Sequence, residues 1–244
     1  MKALRIFLIA GVVILSLACS VSLGNHTTGS GKVITEKRVV GDFTSIDLSC
    51  SADLQLQQGS SLAVSIEGED NIVPLIKTTV SGSTLHIDAK PNTAILTTRQ
   101  LTVYITVPEL ESVRLTGSGD ADVSEWKAGS LKLETSGSGD IVFGNLQTDS
   151  ITARTSGSGD ITIRGGQADS QSVRTSGSGD YKAGSLQSGA AEVVTSGSGD
   201  VTVWVEDELT ATTSGSGDIS YYGSPRLSEH ESGSGDVYRR GDQP

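Results

Sequence analysis

Seven aspartates recur in this sequence in one setting: Asp120, Asp140, Asp160, Asp180, Asp200, Asp218 and Asp236 each close a Gly-Ser-Gly-Asp tetrapeptide. The tetrapeptides begin at 117, 137, 157, 177, 197, 215 and 233, so the spacing is 20 residues four times and then 18 twice. Carboxylates in such a series can bind hard cations, flank a glycosidic bond as acid and base, or accept backbone hydrogen bonds in turns. If the repeats stack, charges about 5 Å apart repel by roughly 0.8 kcal/mol in water and by about 3 kcal/mol at an effective dielectric near 20. Something must offset this. The expected answer is that each carboxylate accepts N–H bonds from its own Ser-Gly turn. No cofactor is expected; the alternative is a ladder of cations, calcium among them, bridging the repeats. One carboxylate per repeat supplies few of the roughly six to eight oxygens that calcium takes. Calcium-binding nonapeptide repeats also place Asp after Gly-x-Gly, but with a shorter period that recurs twice per coil.

Other chemistry-bearing residues are sparse. Thr135, Thr155, Thr175, Thr195 and Thr213 form a second series just before the turns, read as inward-facing or turn-capping. Glu134 and Arg154 should lie one repeat apart on the outer face and pair there. His26, His86 and His230 are far apart, and there is no Ser-His-Asp order, metal-spaced His pair or phosphate-cradling loop that opens a helix. No catalytic residue and no metal ligand is assigned, and the protein is expected not to be an enzyme. Arg240-Gly241-Asp242 is expected to be a solvated end that blunts the last strand edge.

At the other end, Lys2 and Arg5 precede 13 uncharged residues, Ile6 to Ala18, followed directly by Cys19. A basic start, a short apolar run and a small-residue end read as a secretory signal over residues 1–18. Cysteine after a small residue is the pattern of a bacterial lipobox, so Cys19 is the expected lipid-attachment site, although Ser16 stands where Leu is favoured. Ordinary cleavage after Ala18, releasing a secreted or periplasmic protein, satisfies the small-residue rule as well. The only other cysteine is Cys50, expected to be an inert, buried or half-buried thiol. Residues 19–31, small and polar, read as a flexible tether.

Composition narrows the partners. The 244 residues carry 18 Lys and Arg against 29 Asp and Glu, a net charge of −11, with 35 % hydrophobic and 4 % aromatic residues. Phosphate-backbone binding needs clustered basic residues, so nucleic acid is not an expected partner. So few apolar residues cannot fill a thick helical or α/β core.

The elements that position the aspartates follow from the same repeat. After each Asp, apolar residues alternate with polar ones, as in Ile141 and Phe143 or Ile161 and Ile163 around Val142 and Thr162. Before each turn the alternation returns, as in Leu131 and Leu133 around Lys132. Period two means half-buried strands, and a fixed period near 20 means a solenoid. Trp126, Leu146 and Leu186 mark a third inward position that Gly166, Glu206 and Ser224 interrupt. The expected fold is all-β, a right-handed parallel β-helix with rungs of about 20 residues spaced about 4.8 Å apart. An antiparallel meander with a hairpin at every Gly-Ser-Gly-Asp is the alternative. Residues 32–116 should form an irregular first part and residues 117–244 the regular part of one solenoid, with Cys50-Ser51-Ala52-Asp53 as a degenerate turn.

Asp42-Phe43-Thr44-Ser45-Ile46, the strand from Gly82 to Ile87, the Val103 to Leu110 segment and the repeats that follow resemble the auto-transporter adhesin head GIN-domain family. That resemblance implies a β-helix-like fold at the bacterial envelope and an adhesive role, and it carries no catalytic residues with it. The sequence therefore reads as an exported, lipid-anchored envelope module that binds without catalysis, its partner an extended ligand such as a glycan or an envelope protein. Membrane contact would be through the lipid alone. A cation-dependent β-helix that binds or processes carbohydrate is the second reading.

Overall fold

The computed structural model describes residues 26–244. The export signal and Cys19 lie outside them. From His26 onward the chain is strand built on strand, with one short 3-10 turn at Val73–Leu75. A parallel β-solenoid of about six coils results, as the repeat requires. Equivalent residues pair at offsets of one repeat: Ala121 with Ile141, Ile141 with Ile161 and Ile161 with Tyr181. Strands such as Ala121–Thr135 and Ile141–Thr155 bend around corners, so one strand serves more than one face of the coil. All strands except two join a single 17-stranded hydrogen-bonded sheet.

The alternating pattern sorts side chains as expected. Ile141, Ile161, Val201 and Ile219 are fully buried after the turns, Leu133 and Val193 before them, and Trp126, Leu146 and Leu186 at the third position. Among the buried positions, Gln171 breaks the apolar rule with a long polar side chain. Gln171 stands where the rungs on either side carry Ile151 and Ala191. Its amide accepts the hydroxyl of buried Tyr181 at 2.8 Å and donates to Ser188 Oγ at 2.9 Å, so the polar group is not left unpaired.

The first part is irregular in a specific way. Ser45–Leu48 lies between Thr84–Ala89 and Ser112–Leu115, and Asp53–Gln58 lies between Thr102–Val107 and Ala121–Val123. The coil of residues 45–58 is thus inserted into the stack ahead of its place in sequence. Pro108 to Glu111 carry the chain past it, and the Glu111 N–H donates to Thr44 O at 2.7 Å. Beyond this coil pairing becomes antiparallel: Ile76–Ser81 on Thr84–Ala89, Ala63–Glu69 on Thr102–Val107 and Val33–Arg38 on Ala63–Glu69. Antiparallel pairing therefore occurs, but as a cover over one end of the stack, which removes an open edge.

The described end of the expected tether is attached to the body. His26–Thr28 pairs with Ala94–Leu96, and buried Glu69 accepts the Gly31 N–H at 2.7 Å and the Thr98 N–H at 2.9 Å. Those bonds, the Thr98 hydroxyl foremost, hold the Glu69 carboxyl below its ordinary range. Small polar composition gave no sign of a carboxylate waiting to accept these amides.

A charge placed inside a filled layer separates the two faces of a strand. Ile161→Asp should destabilise by several kcal/mol and Thr162→Asp, one residue along and half-buried, by much less. Urea unfolding checks this, and equal losses would contradict the inward assignment.

Candidate functional site

The seven aspartates form a straight ladder along one corner of the solenoid. Its chemistry differs from the expectation: each carboxylate serves the next rung rather than its own turn. Asp140 N–H donates to Asp120 Oδ1, Asp160 to Asp140, Asp180 to Asp160 and Asp200 to Asp180, all at 2.8 Å. Asp218 donates to Asp200 and Asp236 to Asp218 at 2.9 Å. Below them Asp120 donates to Asp53 Oδ1 at 3.2 Å, which makes Cys50-Ser51-Ala52-Asp53 the first turn of the series. The reason is that the turn's other donors are already engaged. Ser158 and Gly159 both donate to Gly137 O, at 2.9 and 3.4 Å. The Asp N–H is left over, and the carboxylate one rung below reaches it. Hydrogen bonds to a charged acceptor contribute roughly 1.5–3 kcal/mol, enough to offset the repulsion along the ladder.

The neighbouring series fits the same arrangement. Thr135, Thr155, Thr175, Thr195 and Thr213 are all buried, and Thr135 and Thr213 donate to the carbonyl of the second glycine of their own turns, at 3.0 and 3.2 Å. Cys50 is buried and unpaired, and burial raises its thiol pKa, so it is not a reactive thiolate. Glu134 and Arg154 pair at 3.7 Å.

Next to the ladder, the outward residues after the turns make one long column: Tyr104, Gln55, Asp122, Val142, Thr162, Lys182, Thr202, Ser220 and Tyr238. Eight rung steps span about 38 Å. An exposed tyrosine stands at each end, Tyr104 at 42 % and Tyr238 at 41 %. Each end is also hollowed. Around Tyr104 a cleft of about 840 Å³ is lined by Gln55, Gln57, Glu125, Lys127, Asn145 and Gln147. Its corner is fixed by Gln58, whose amide donates to Lys127 O and accepts the Lys127 N–H.

The cleft at the other end, about 520 Å³, brings three ladder carboxylates, Asp180, Asp200 and Asp218, together with Lys182, Tyr222, Tyr238 and Arg240. Lys182 bridges Asp160 and Asp180 at 2.5 and 3.1 Å, and these bonds raise its pKa. Among the described residues no side chain engages the second oxygens of Asp200 and Asp218. Arg240 sits 5.9 Å from the Tyr238 ring centre, within reach of a cation–π contact. Tyr222 reaches two rungs down because Gly184 leaves room: a Cβ there would come within 3.2 Å of its ring.

Sequence reasoning missed the two clefts. An aromatic content of 4 % carries no sign of them. Arg240 and Gly241 end the last strand, Val237–Gly241, and Arg240 and Asp242 are exposed as expected of a solvated end, but Arg240 also lines the cleft. The available signal was the shift to 18-residue spacing: the register slips between Ala183 and Gln187, where the shorter coils begin, and aromatic residues enter outer positions there.

The molecule is a repeat-built parallel β-solenoid with a polar ridge and a hollowed outer face. Its sequence matches the family model "Putative auto-transporter adhesin, head GIN domain" over residues 42–225, and the chain belongs to that family. A comparison with curated proteins gives no match. Among solved structures it is similar to a "putative adhesin" from Bacteroides fragilis, with a TM-score of 0.84 and 27 % identity over 88 % of this chain and 100 % of that one. A "putative lipid binding protein" from Parabacteroides distasonis follows with a TM-score of 0.76 and 26 % identity, again over 88 % and 100 %. A second "putative adhesin" from the latter organism, at 0.72 and 24 % over the same shares, shows the fold alone.

One oxygen of each aspartate from Asp120 to Asp218 is committed to the N–H of the next rung, so the ladder is expected to hold without cations. The melting temperature should therefore be insensitive to millimolar calcium or to chelator. Calorimetry checks this, and a chelator-induced fall reversed by calcium would establish a cation ladder instead.

Proposed function

We propose that this protein is an exported, non-catalytic adhesin-like module, anchored to the bacterial envelope by lipid on Cys19, that holds an extended glycan along its post-turn face. The observation that carries the reading is the cleft combining Tyr222 and Tyr238 with Asp200, Asp218 and Arg240. Sugar rings present an apolar C–H face and a rim of hydroxyls. Tyrosine supplies a flat amphipathic surface for the first, and ionised carboxylates and guanidinium supply acceptors and donors for the second. The amide-rich cleft around Tyr104 offers a second contact on the same face, about 38 Å away by rung count. A short sugar cannot reach both, so the geometry favours a chain.

Binding rather than cleavage is favoured because the carboxylates line one side of the cleft and are tied by the backbone ladder, not set on opposite sides of a bond. A lipid ligand would have to sit on the surface, since the coil interior is filled by side chains such as Phe143, Tyr181 and Leu186. Lipid on Cys19 is a separate matter of anchoring. Its support is the placement of that cysteine directly after the apolar run.

Glycan-array binding followed by calorimetric titration tests the reading. Tyr238→Ala should weaken binding of any glycan identified at least tenfold, the loss of roughly 1.4 kcal/mol or more, while leaving unfolding unchanged. Undiminished binding would remove this cleft as the site. Cys19→Ala should move the protein from the membrane to the soluble fraction, and an unchanged distribution would refute the anchor.

A further inference from the structure

On the other side of the turn ridge from the aspartate ladder lies a groove of opposite character, about 770 Å³ in volume. It is lined by Arg114, Lys132, Arg154 and Arg174 and bordered by exposed serines, among them Ser156 and Ser176. In a chain of net charge −11, four cations in one groove are a marked local reversal. Glu134 is the only acidic residue in the lining, shared between Lys132 at 2.8 Å and Arg154 at 3.7 Å. Arg174 borrows Glu192 from the next rung at 3.4 Å.

The register places Arg114, Glu134, Arg154 and Arg174 in one column, a rung apart, so Arg154 and Arg174 stand directly opposite each other on neighbouring strands. Like charges in that position destabilise a sheet. The aspartate ladder resolves the same problem by accepting backbone N–H groups, which guanidinium cannot do; here Glu134 beside Arg154 and Glu192 beside Arg174 offset part of the repulsion. Both side chains keep about half of their surface, 53 % each, so they remain available to a ligand.

We propose that this groove binds an anionic polysaccharide, a chain carrying carboxylate, sulfate or phosphate groups at intervals close to the rung spacing. Cations at whole multiples of the rung step, interrupted once by Glu134, and a row of hydroxyls beside them suit a polymer whose charges repeat at that step. A pyranose chain advances by roughly one rung per ring. The serine hydroxyls meet the sugar hydroxyls, and the guanidinium groups pair with the anions in two-pronged fashion. The proposal is separate from the tyrosine cleft, which lies on another face.

The test uses the mature protein with dextran sulfate, polygalacturonate, neutral dextran and phosphatidylglycerol vesicles. Both polyanions should bind and neutral dextran should not, with log K falling as log salt rises because bound counterions are released. The double variant Arg154→Gln/Arg174→Gln should reduce that salt slope by about one unit per arginine. Lys77→Ser, an exposed cation away from the groove, should leave polyanion binding unchanged. Equal binding of neutral dextran, an unaltered slope in the double variant, or binding to vesicles without binding to either polysaccharide would each overturn the proposal. Wild-type salt dependence and ligand preference stand even if the double variant folds poorly.

Discussion

Everything regular in this protein depends on identical turns resting on one another a single rung apart. At that distance there is no room for side chains between the turn backbones. A Cβ on Gly137 would lie 1.9 Å from Gly117 O, and one on Gly139 2.0 Å from Gly119 O, with similar collisions at every later turn. The glycines are thus required by close approach, and none of the turn glycines has a positive φ. The same closeness lets an aspartate side chain reach the next N–H and a threonine hydroxyl close the turn from inside. Glycine, aspartate and threonine are three consequences of one spacing.

Function enters where that regularity relaxes. In the 20-residue coils the outer column after the turns carries small or polar residues, and the face is shallow. Where the coils shorten to 18 residues the register slips, and Tyr222 and Tyr238 stand in outer positions beside carboxylates that the ladder has already fixed. Rigid spacing from the repeat and unlike chemistry from its irregular end are therefore combined in one cleft. At the opposite end, the antiparallel strands Val33–Arg38, Ala63–Glu69 and Ile76–Ser81 cover the stack, and the amide-lined cleft surrounds Tyr104.

Much of the fold was legible because period and alternation are backbone-scale signals. The inward set, the stacking of Cys50-Ser51-Ala52-Asp53 beneath the repeats and the pairing of Glu134 with Arg154 all follow from counting residues. What was not legible depends on which strand comes to lie beside which out of sequence order. The insertion of residues 45–58 between strands from residues 84–107 and 112–123 leaves no periodic mark, nor does the docking of Gly31 on Glu69. The ladder lay between these cases. Its residues were evident, but choosing between own-turn and next-rung amides required knowing that Gly137 O already accepts the Ser158 and Gly159 N–H groups.

Hydrogen exchange at single amides tests that choice most directly. Asp140 Oδ1 accepts the Asp160 N–H at 2.8 Å, and Asp140 lines neither cleft. In Asp140→Ala the Asp160 amide should exchange much faster, while Ser138, whose N–H donates to Gly117 O at 3.0 Å in the turn of residue 140 itself, keeps its protection. Asp140→Asn, whose side-chain oxygen still accepts, should restore most of the lost protection. Loss of protection at Ser138 with Asp160 unchanged would contradict the account, because each carboxylate would then be serving its own turn.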